Sequence, residues 1–574
     1  MLAFARFPFE DAYLTLRYAE NLAAGHGFVF QPGEAVLGTS SPGWALLLAL
    51  VIAAGVPPAT ALDVLSGAAL GALAFTGALW LDRVRAPRAA VVFPGIVAVG
   101  AFRLHAYWGM ETAAFVAAVF GAVALAECGR LRAAGLVAGL GVLLRHEGVL
   151  LAIPLAAWIH ARYGTRRALA FSGWAIAPCA PWFSFAFAAF GAPLPVTLAA
   201  KSGDLGPLAY LERATRDLAA EAMWSATPPG WAVALAAAFG SLVALGVLRG
   251  MRARSSAVPL AVAALAVLAG LALLGPSIHF RWHRAPAWIL LSAIALTAVD
   301  GRLPRRGARA IALALFVAAL PVLCTVRASL ERSHDHLARV ASYEPIARFL
   351  RETGLASRTL LTAEPGYLAH RSGVRVVDAG GIVTPRVGFG GRDGRAMSLS
   401  DLLGERPELV LARAPFTAGG YRIVFESTMG RRLLAREDVA RAHDAQIEAW
   451  RVRRGRGAPP ITDALEIDTP LDVYHAGRPG FRELRCDGRP RALTAETRPF
   501  RIDADELWIE SDGTHPVHAR CQLVVGGEVV RQRAASDSGP FPVAEWRGAT
   551  ARVRVLLLTG AGDRVVYGAV RRRP

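Results

Sequence analysis

The feature that most constrains this chain is a series of apolar runs punctuated by short arginine clusters. The runs occupy about 59–81, 89–102, 113–128, 133–144, 148–159, 168–190, 231–248, 257–275, 286–299 and 310–326. An upright bilayer crossing needs about 20 apolar residues, so the longer runs have the length of membrane spans. Several are shorter and abut polar loops, which points to a helical bundle lining a cavity rather than to a simple receptor. Hydrophobic residues make up 54% of the 574 and charged residues 19%. Soluble domains hold about 45–50% and about 25%, so a disordered or wholly soluble protein is excluded.

The formal net charge is +18. Such a balance could suit nucleic acid, but most of the arginines sit in short loops between apolar runs. These loops are DRVRAPR at 82–88, GRLR at 129–132, HARYGTRR at 160–167, RGMRAR at 249–254 and GRLPRRGAR at 301–309. That spacing is the positive-inside pattern, so no nucleic-acid partner is expected and the bilayer is. Placing all five loops in the cytoplasm turns the segments around Glu111, Arg145–Gly148, 191–230 and 276–285 outward, with everything after about Arg327. The stretch 43–56 would break this alternation if it crossed, and at fourteen residues it is short for a span. It reads as an interfacial helix on the outer leaflet, with residues 1–42 outside beside it. No apolar span precedes Glu10 and Asp11. The favoured reading is that one more span lies upstream of this sequence.

The expected organisation is four parts. Residues 1–58 form an outer loop with interfacial helices, 59–326 a transmembrane bundle of about ten spans, 327–480 an extracytoplasmic α/β domain, and 481–574 a small β-sandwich. In the tail TLLTA (359–363), VRVVD (374–378), PELVLA (407–412) and YRIVFE (421–426) read as strands around a helical DLLGE. ELWIE (506–510), CQLVV (521–525) and RVRVLLL (552–558) alternate as sandwich strands do. Cys486 and Cys521 read equally well as a disulfide or as two separate thiols.

Several residues could carry chemistry. Glu10 and Asp11 are adjacent carboxylates before an amphipathic segment, YLTLRYAENLAAG. A helix start attracts acids through its dipole, and on the residues alone that reading is stronger than general-base catalysis. Glu111, in WGMETAAF, reads as a dipole or cap partner or as a site residue. Arg145, His146 and Glu147 are three ionisable residues between two apolar runs, costly unless they face a cavity or one another. A structural Arg–Glu pair and a site role stand about level there. The outward segment PSIHFRWHRAP (276–286) holds His279, Arg281, His283 and Arg284, residues able to hold an anionic head group or to anchor a span end. Lys201, the only lysine among 63 basic side chains, ends the loop FGAPLPVTLAAK. The His334–Asp335–His336 cluster is a weak metal signal, and no CxxC spacing supports one. Neither a metal nor a cofactor is therefore expected.

Taken in order, these segments resemble a family. Glu10–Asp11–Ala12–Tyr13, Arg17–Tyr18–Ala19, Gly25–His26–Gly27, Pro32–Gly33–Glu34 and Pro42–Gly43–Trp44 match the first outer loop of bacterial polytopic glycosyltransferases of the GT-C fold. The likeness is to the mycobacterial-type terminal arabinofuranosyltransferases and their relatives. WGMET (108–112), LLRHEG (143–148), PLPVTLAAK (193–201) and GYLAHRSGVRVVDAGGIVTP (366–385) follow in the family's order, so the likeness covers roughly 9–390. It departs in three places. The family's first span has no counterpart, Glu10 replaces an Asp, and Arg-Pro-Glu-Gly becomes Arg145–His146–Glu147–Gly148.

The resemblance implies a membrane all-α, GT-C-like bundle followed by the soluble α/β and β-sandwich regions. It implies an inverting transfer of a sugar from a polyprenyl-phosphate donor to a glycan or glycolipid acceptor on the outer face of the bacterial plasma membrane. Carried over by position, Asp11 is the general base and Glu10 its rival. Lys201, Arg281 and Arg284 would face the donor phosphate, with His279 beside them. Arg17, His26, Glu111, Arg145 and Glu147 would bind substrate or brace the site. A membrane-anchored glycan-binding scaffold is the alternative, and a transporter is weaker because no inverted repeat is visible.

Overall fold

A computed structural model describes residues 10–104, 109–197, 230–274, 281–300, 343–384, 387, 399–413, 418–427 and 431–453. Beyond these it describes the strands and one turn between Val473 and Arg573. Lys201, His279, the run 310–326, the His334–His336 cluster and Cys486 lie outside the described residues. The chain divides into two compact units: Met1–Ser329 with Gly380–Ala396, and Leu330–Ala379 with Met397–Pro574.

The first unit is helical. Its helices are α1 (Glu10–Ala23), α2 (Pro42–Ala53), α3 (Pro58–Arg83), α4 (Pro87–Leu104), α5 (Thr112–Glu127), α6 (Leu131–Leu144), α7 (Val149–Tyr163) and α8 (Thr165–Phe190). After the undescribed stretch come α9 (Gly230–Ala253), α10 (Ala257–Leu274) and α11 (Arg281–Val299). Among the described residues α3 and α8, at 26 residues each, are long and apolar enough to cross a membrane, and the other apolar helices are shorter. At 1.5 Å per residue the twelve of α2 extend about 18 Å, well short of a bilayer core of about 30 Å.

The packing is that of close helices. A Cβ at Gly135 or Gly139 of α6 would strike the α8 backbone at Phe171 and Ala175. This small-residue spacing, one helical turn apart, lets two backbones touch. Outward-facing side chains are apolar too: Val91 is 80% exposed, Leu273 76% and Phe75 68%. Side chains of this kind are at home in hydrocarbon.

The two ends of the bundle differ chemically. At one end the Asp300 carboxylate accepts from the backbone N–H groups of Arg88 and Ala89, both at 2.9 Å. There too Glu127 accepts from the N–H of Ser256 and pairs with Arg162 at 3.8 Å. Trp80 Nε1 donates to the Ser256 hydroxyl at 3.0 Å. The arginine loops 82–88, 160–167 and 249–254 thus share one end, as the alternation in the sequence requires.

The second unit carries the strands. A mixed sheet has the order β2 (Arg375–Asp378), β1 (Thr359–Thr362), β3 (Leu409–Arg413), β5 (Arg431–Arg436), β4 (Tyr421–Glu426). Strands β1, β2 and β3 run parallel, and β5 pairs antiparallel with β3 and β4. Four of these strands match the expected segments. Strand β5 was not anticipated, because its arginine ends mask the buried Leu433–Leu434 centre. Further on, β6 (Val473–His475), β7 (Arg482–Arg485), β10 (Glu506–Ser511), β13 (Pro540–Pro542) and β15 (Arg564–Arg573) form one antiparallel sheet. A second holds β8 (Arg491–Glu496), β11 (Ala519–Val525), β12 (Glu528–Ala534) and β14 (Thr550–Thr559), with β9 (Phe500–Arg501) on β14. The first of these sheets starts before residue 481, because Val473–His475 pairs with Arg482–Leu484.

The expected α/β domain of 327–480 also differs in one segment. Gly380–Ala396 belongs with the helical unit. At Gly38 the missing side chain lets the Ile382 carbonyl approach to 2.7 Å of where a Cβ would stand. Val383 and Thr384 are buried beside it.

Candidate active site

The end of the bundle away from the arginine loops is built around α1. Glu10 and Asp11 occupy its first turn, where the helix dipole favours negative charge. Tyr18 is fully buried and organises the following loop: its hydroxyl donates to the Val36 carbonyl at 2.6 Å and accepts from the Gly38 N–H at 2.7 Å. Burial pushes this phenol above its ordinary pKa, so it stays a neutral donor. Asn21 Nδ2 donates to the carbonyls of Val29 and Phe30, folding the loop back on the helix. Gly25 and Gly27 both take positive φ, which explains the Gly–His–Gly motif as a turn. One turn beyond Asp11, the Thr15 and Thr39 hydroxyls lie 3.1 Å apart.

The second wall comes from the segment before α5. Trp44 Nε1 donates to the Gly109 carbonyl at 2.8 Å, and the Gly109 N–H donates to the Ser66 hydroxyl at 3.0 Å. These bonds set the turn that delivers Glu111. Trp44→Phe removes the first of them and is expected to cost about 1 kcal/mol of stability. A drop in the melting temperature of the purified protein measures it.

Arg145 is the centre of the third wall. It leaves the end of α6 in an extended conformation, and its side chain is 5% exposed. Nη1 donates to Glu111 Oε1 at 2.9 Å, and Nη2 donates to Glu147 Oε1 at 2.8 Å. The Glu111 side chain makes no cap hydrogen bond to α5 and instead joins this buried pair. Arg145 Nη2 also lies 3.2 Å from His283 Nδ1. A guanidinium can only donate, so His283 accepts through an unprotonated Nδ1 and keeps its proton on Nε2.

Burial would raise the Glu147 carboxyl, but the Arg145 guanidinium outweighs it and holds the group at about 2. Burial also pushes the neighbouring His146 imidazole below its ordinary value. A depressed carboxylate stabilises the fold above its unfolded pKa, here 4.5, and that contribution is lost as pH falls through 2. Glu147→Gln is therefore expected to lose stability at pH 7 but little near pH 2, as thermal melts across that range read directly.

These walls enclose a cleft of about 410 Å³, counting its open mouth. Its lining holds Asp11, Leu14, Thr15, Gly38, Thr39, Ser40, Ser41, Met110, Glu111, Arg145, Thr197, His283 and Ile382. Of the residues singled out in the sequence, Asp11, Glu111, Arg145 and His283 line it together, and Glu147 joins through Arg145. Glu10 does not line it. Arg17 pairs with Glu20 at 3.5 Å, and His26 is exposed in its turn; neither reaches the cleft. Arg284 is buried in α11 and is not among the lining residues, while His283 beside it is. Arg281 begins α11 two residues before His283, and Thr197 lies four residues before Lys201. Four extended residues reach at most about 14 Å. Sequence reasoning missed the lining roles of Thr39, Ser41, Thr197 and Ile382, which are uncharged and carry no local signal.

No family model and no curated protein matches the chain. Among solved structures, the apo crystal structure of ArnT from Cupriavidus metallidurans is similar at 14% identity and a TM-score of 0.48. The match covers 76% of this chain and 97% of that one. The same protein bound to undecaprenyl phosphate gives 13%, 0.48, 76% and 96%. The arabinosyltransferase EmbB from Mycobacterium smegmatis gives 12% identity and a TM-score of 0.29, over 99% of this chain and 62% of that one.

Proposed function

We propose that this chain is a membrane glycosyltransferase that moves a sugar from a polyprenyl-phosphate donor to a cell-envelope acceptor by inversion. The observation that carries the reading is the meeting of Asp11 with the Glu111–Arg145–Glu147–His283 cluster in one cleft, at the end of the bundle away from the arginine loops. With those loops in the cytoplasm, the cleft faces outward.

Asp11 accepts the proton of the acceptor hydroxyl as its oxygen attacks the anomeric carbon. The bond from that carbon to the phosphate oxygen breaks, and the lipid phosphate leaves with the electron pair. The departing charge needs donors aimed at it. Arg145 is committed to two carboxylates, so its role is to hold the cluster, with His283 presenting its Nε2–H. Arg281, two residues before His283, and Lys201, four after Thr197, stand within a few residues of the cleft wall in the chain and supply the cations. The compact ammonium of Lys201 suits a phosphate differently from a planar guanidinium, so Lys201→Arg is expected to weaken donor binding.

The test is transfer of a radiolabelled sugar from polyprenyl phosphate by the purified full-length chain in vesicles, compared with its Asp11→Asn variant. Transfer by the wild type and none by the variant supports the reading. Equal transfer by both removes Asp11 as the base.

A further inference from the structure

The segment Gly380–Thr384 belongs to the ordered set of motifs in the sequence, yet nothing above gives it work in the reaction. In the chain it follows β2 of the second unit, but it packs with the helical unit. Resting on the glycosyltransferase reading, we propose that Ile382 is a specificity-determining residue that sets which acceptor sugars can stand against Asp11.

The placement follows a short path of contacts. The Ile382 carbonyl closes on Gly38, where a Cβ would lie 2.7 Å from it. The next residue, Thr39, lies with its hydroxyl 3.1 Å from that of Thr15, and Thr15 is one helical turn beyond Asp11. Ile382 is therefore tied, through Gly38 and Thr39, to the helix that carries Asp11. On the other flank of the same loop, the Val196 N–H donates to the Leu37 carbonyl at 3.0 Å, which brings Thr197 to the wall. Gly38 is thus clasped between two strands of chain and by the Tyr18 hydroxyl.

The chemistry of the wall supports an acceptor role. Most of the lining is hydroxyl, carboxylate, imidazole or guanidinium, and Ile382, Leu14 and Met110 are its large apolar members. A sugar ring offers apolar C–H faces between its hydroxyls. A site that deprotonates one hydroxyl at Asp11 can hold the adjacent C–H face against a branched aliphatic side chain. The Ile382 backbone is fixed by its seat on Gly38 and by Val383, which is buried behind it. A change of side-chain size at 382 consequently changes the width of the cleft and not the position of the carboxylate.

The experiment uses the full-length chain in lipid nanodiscs with a polyprenyl-phosphate sugar donor. Two acceptors are compared, an octyl pentofuranoside and the bulkier octyl hexopyranoside. One methylene in an apolar pocket changes discrimination by roughly 10- to 200-fold. Ile382→Ala is expected to shift the kcat/KM ratio at least 10-fold toward the hexoside, and Ile382→Phe to shift it toward the pentoside, both with donor KM unchanged. Ile382→Val gives a smaller shift toward the hexoside, as Ile382→Ala does, and serves if the larger changes reduce folded yield. An unchanged ratio in all three, with Asp11→Asn inactive, overturns the assignment and leaves the transferase reading standing. No turnover of either acceptor by the wild type overturns both.

Discussion

Asp11→Asn is expected to lower the rate of sugar transfer by about 10²- to 10⁴-fold, the usual worth of a positioned general base. Folded yield and melting temperature should stay near wild type, because Asp11 is half-buried and sits in the first turn of α1. A charge there contributes only about 0.3–1 kcal/mol through the helix dipole. Glu10 provides the control. It shares the same turn and the same dipole but does not line the cleft. Glu10→Gln should therefore lose the same small stability and keep its rate within a few-fold. Rates measured side by side separate a base from a helix-start charge. A fast Asp11→Asn enzyme would return both acids to the structural reading that the residues alone favour.

The second large effect is on folding. Arg145→Met leaves Glu111, 4% exposed, buried without its cation. Breaking a buried pair from one side costs about 3–5 kcal/mol, because the remaining charge is still desolvated. Loss of most folded protein from detergent extracts is the expected outcome. Glu111→Gln in the same chain removes the stranded charge, so the double variant should recover part of the loss. That recovery is a coupling energy, which a double-mutant cycle measures. Equal stability of Arg145→Met and wild type would show that the cluster does not hold the cleft together.

Part of this site was legible beforehand, for physical reasons. Ionisable residues between apolar runs are expensive, so Arg145 and Glu147 stood out, and they meet in a pair at 2.8 Å. The Gly–His–Gly motif was legible as a pattern but not as a role: its glycines serve a turn, and His26 is exposed on it. His283 and Arg284 both stood out in the same segment, yet of these two only His283 lines the cleft. Helical periodicity decides this. Adjacent residues point about 100° apart, and only one of them can face a given wall.

By itself the sequence showed the apolar runs between residues 59 and 326 and the arginine loops that separate them. It also marked several strands of the tail, though not β5. Each of these is a local property, in which a side chain's solvent preference is read along one dimension. Only the tertiary structure decided that Glu111, Arg145 and His283, 34 and 138 residues apart along the chain, share one hydrogen-bonded cluster. It alone seated Ile382 on Gly38, because a close backbone approach depends on where two distant segments meet, and glycine permits that meeting without announcing its partner.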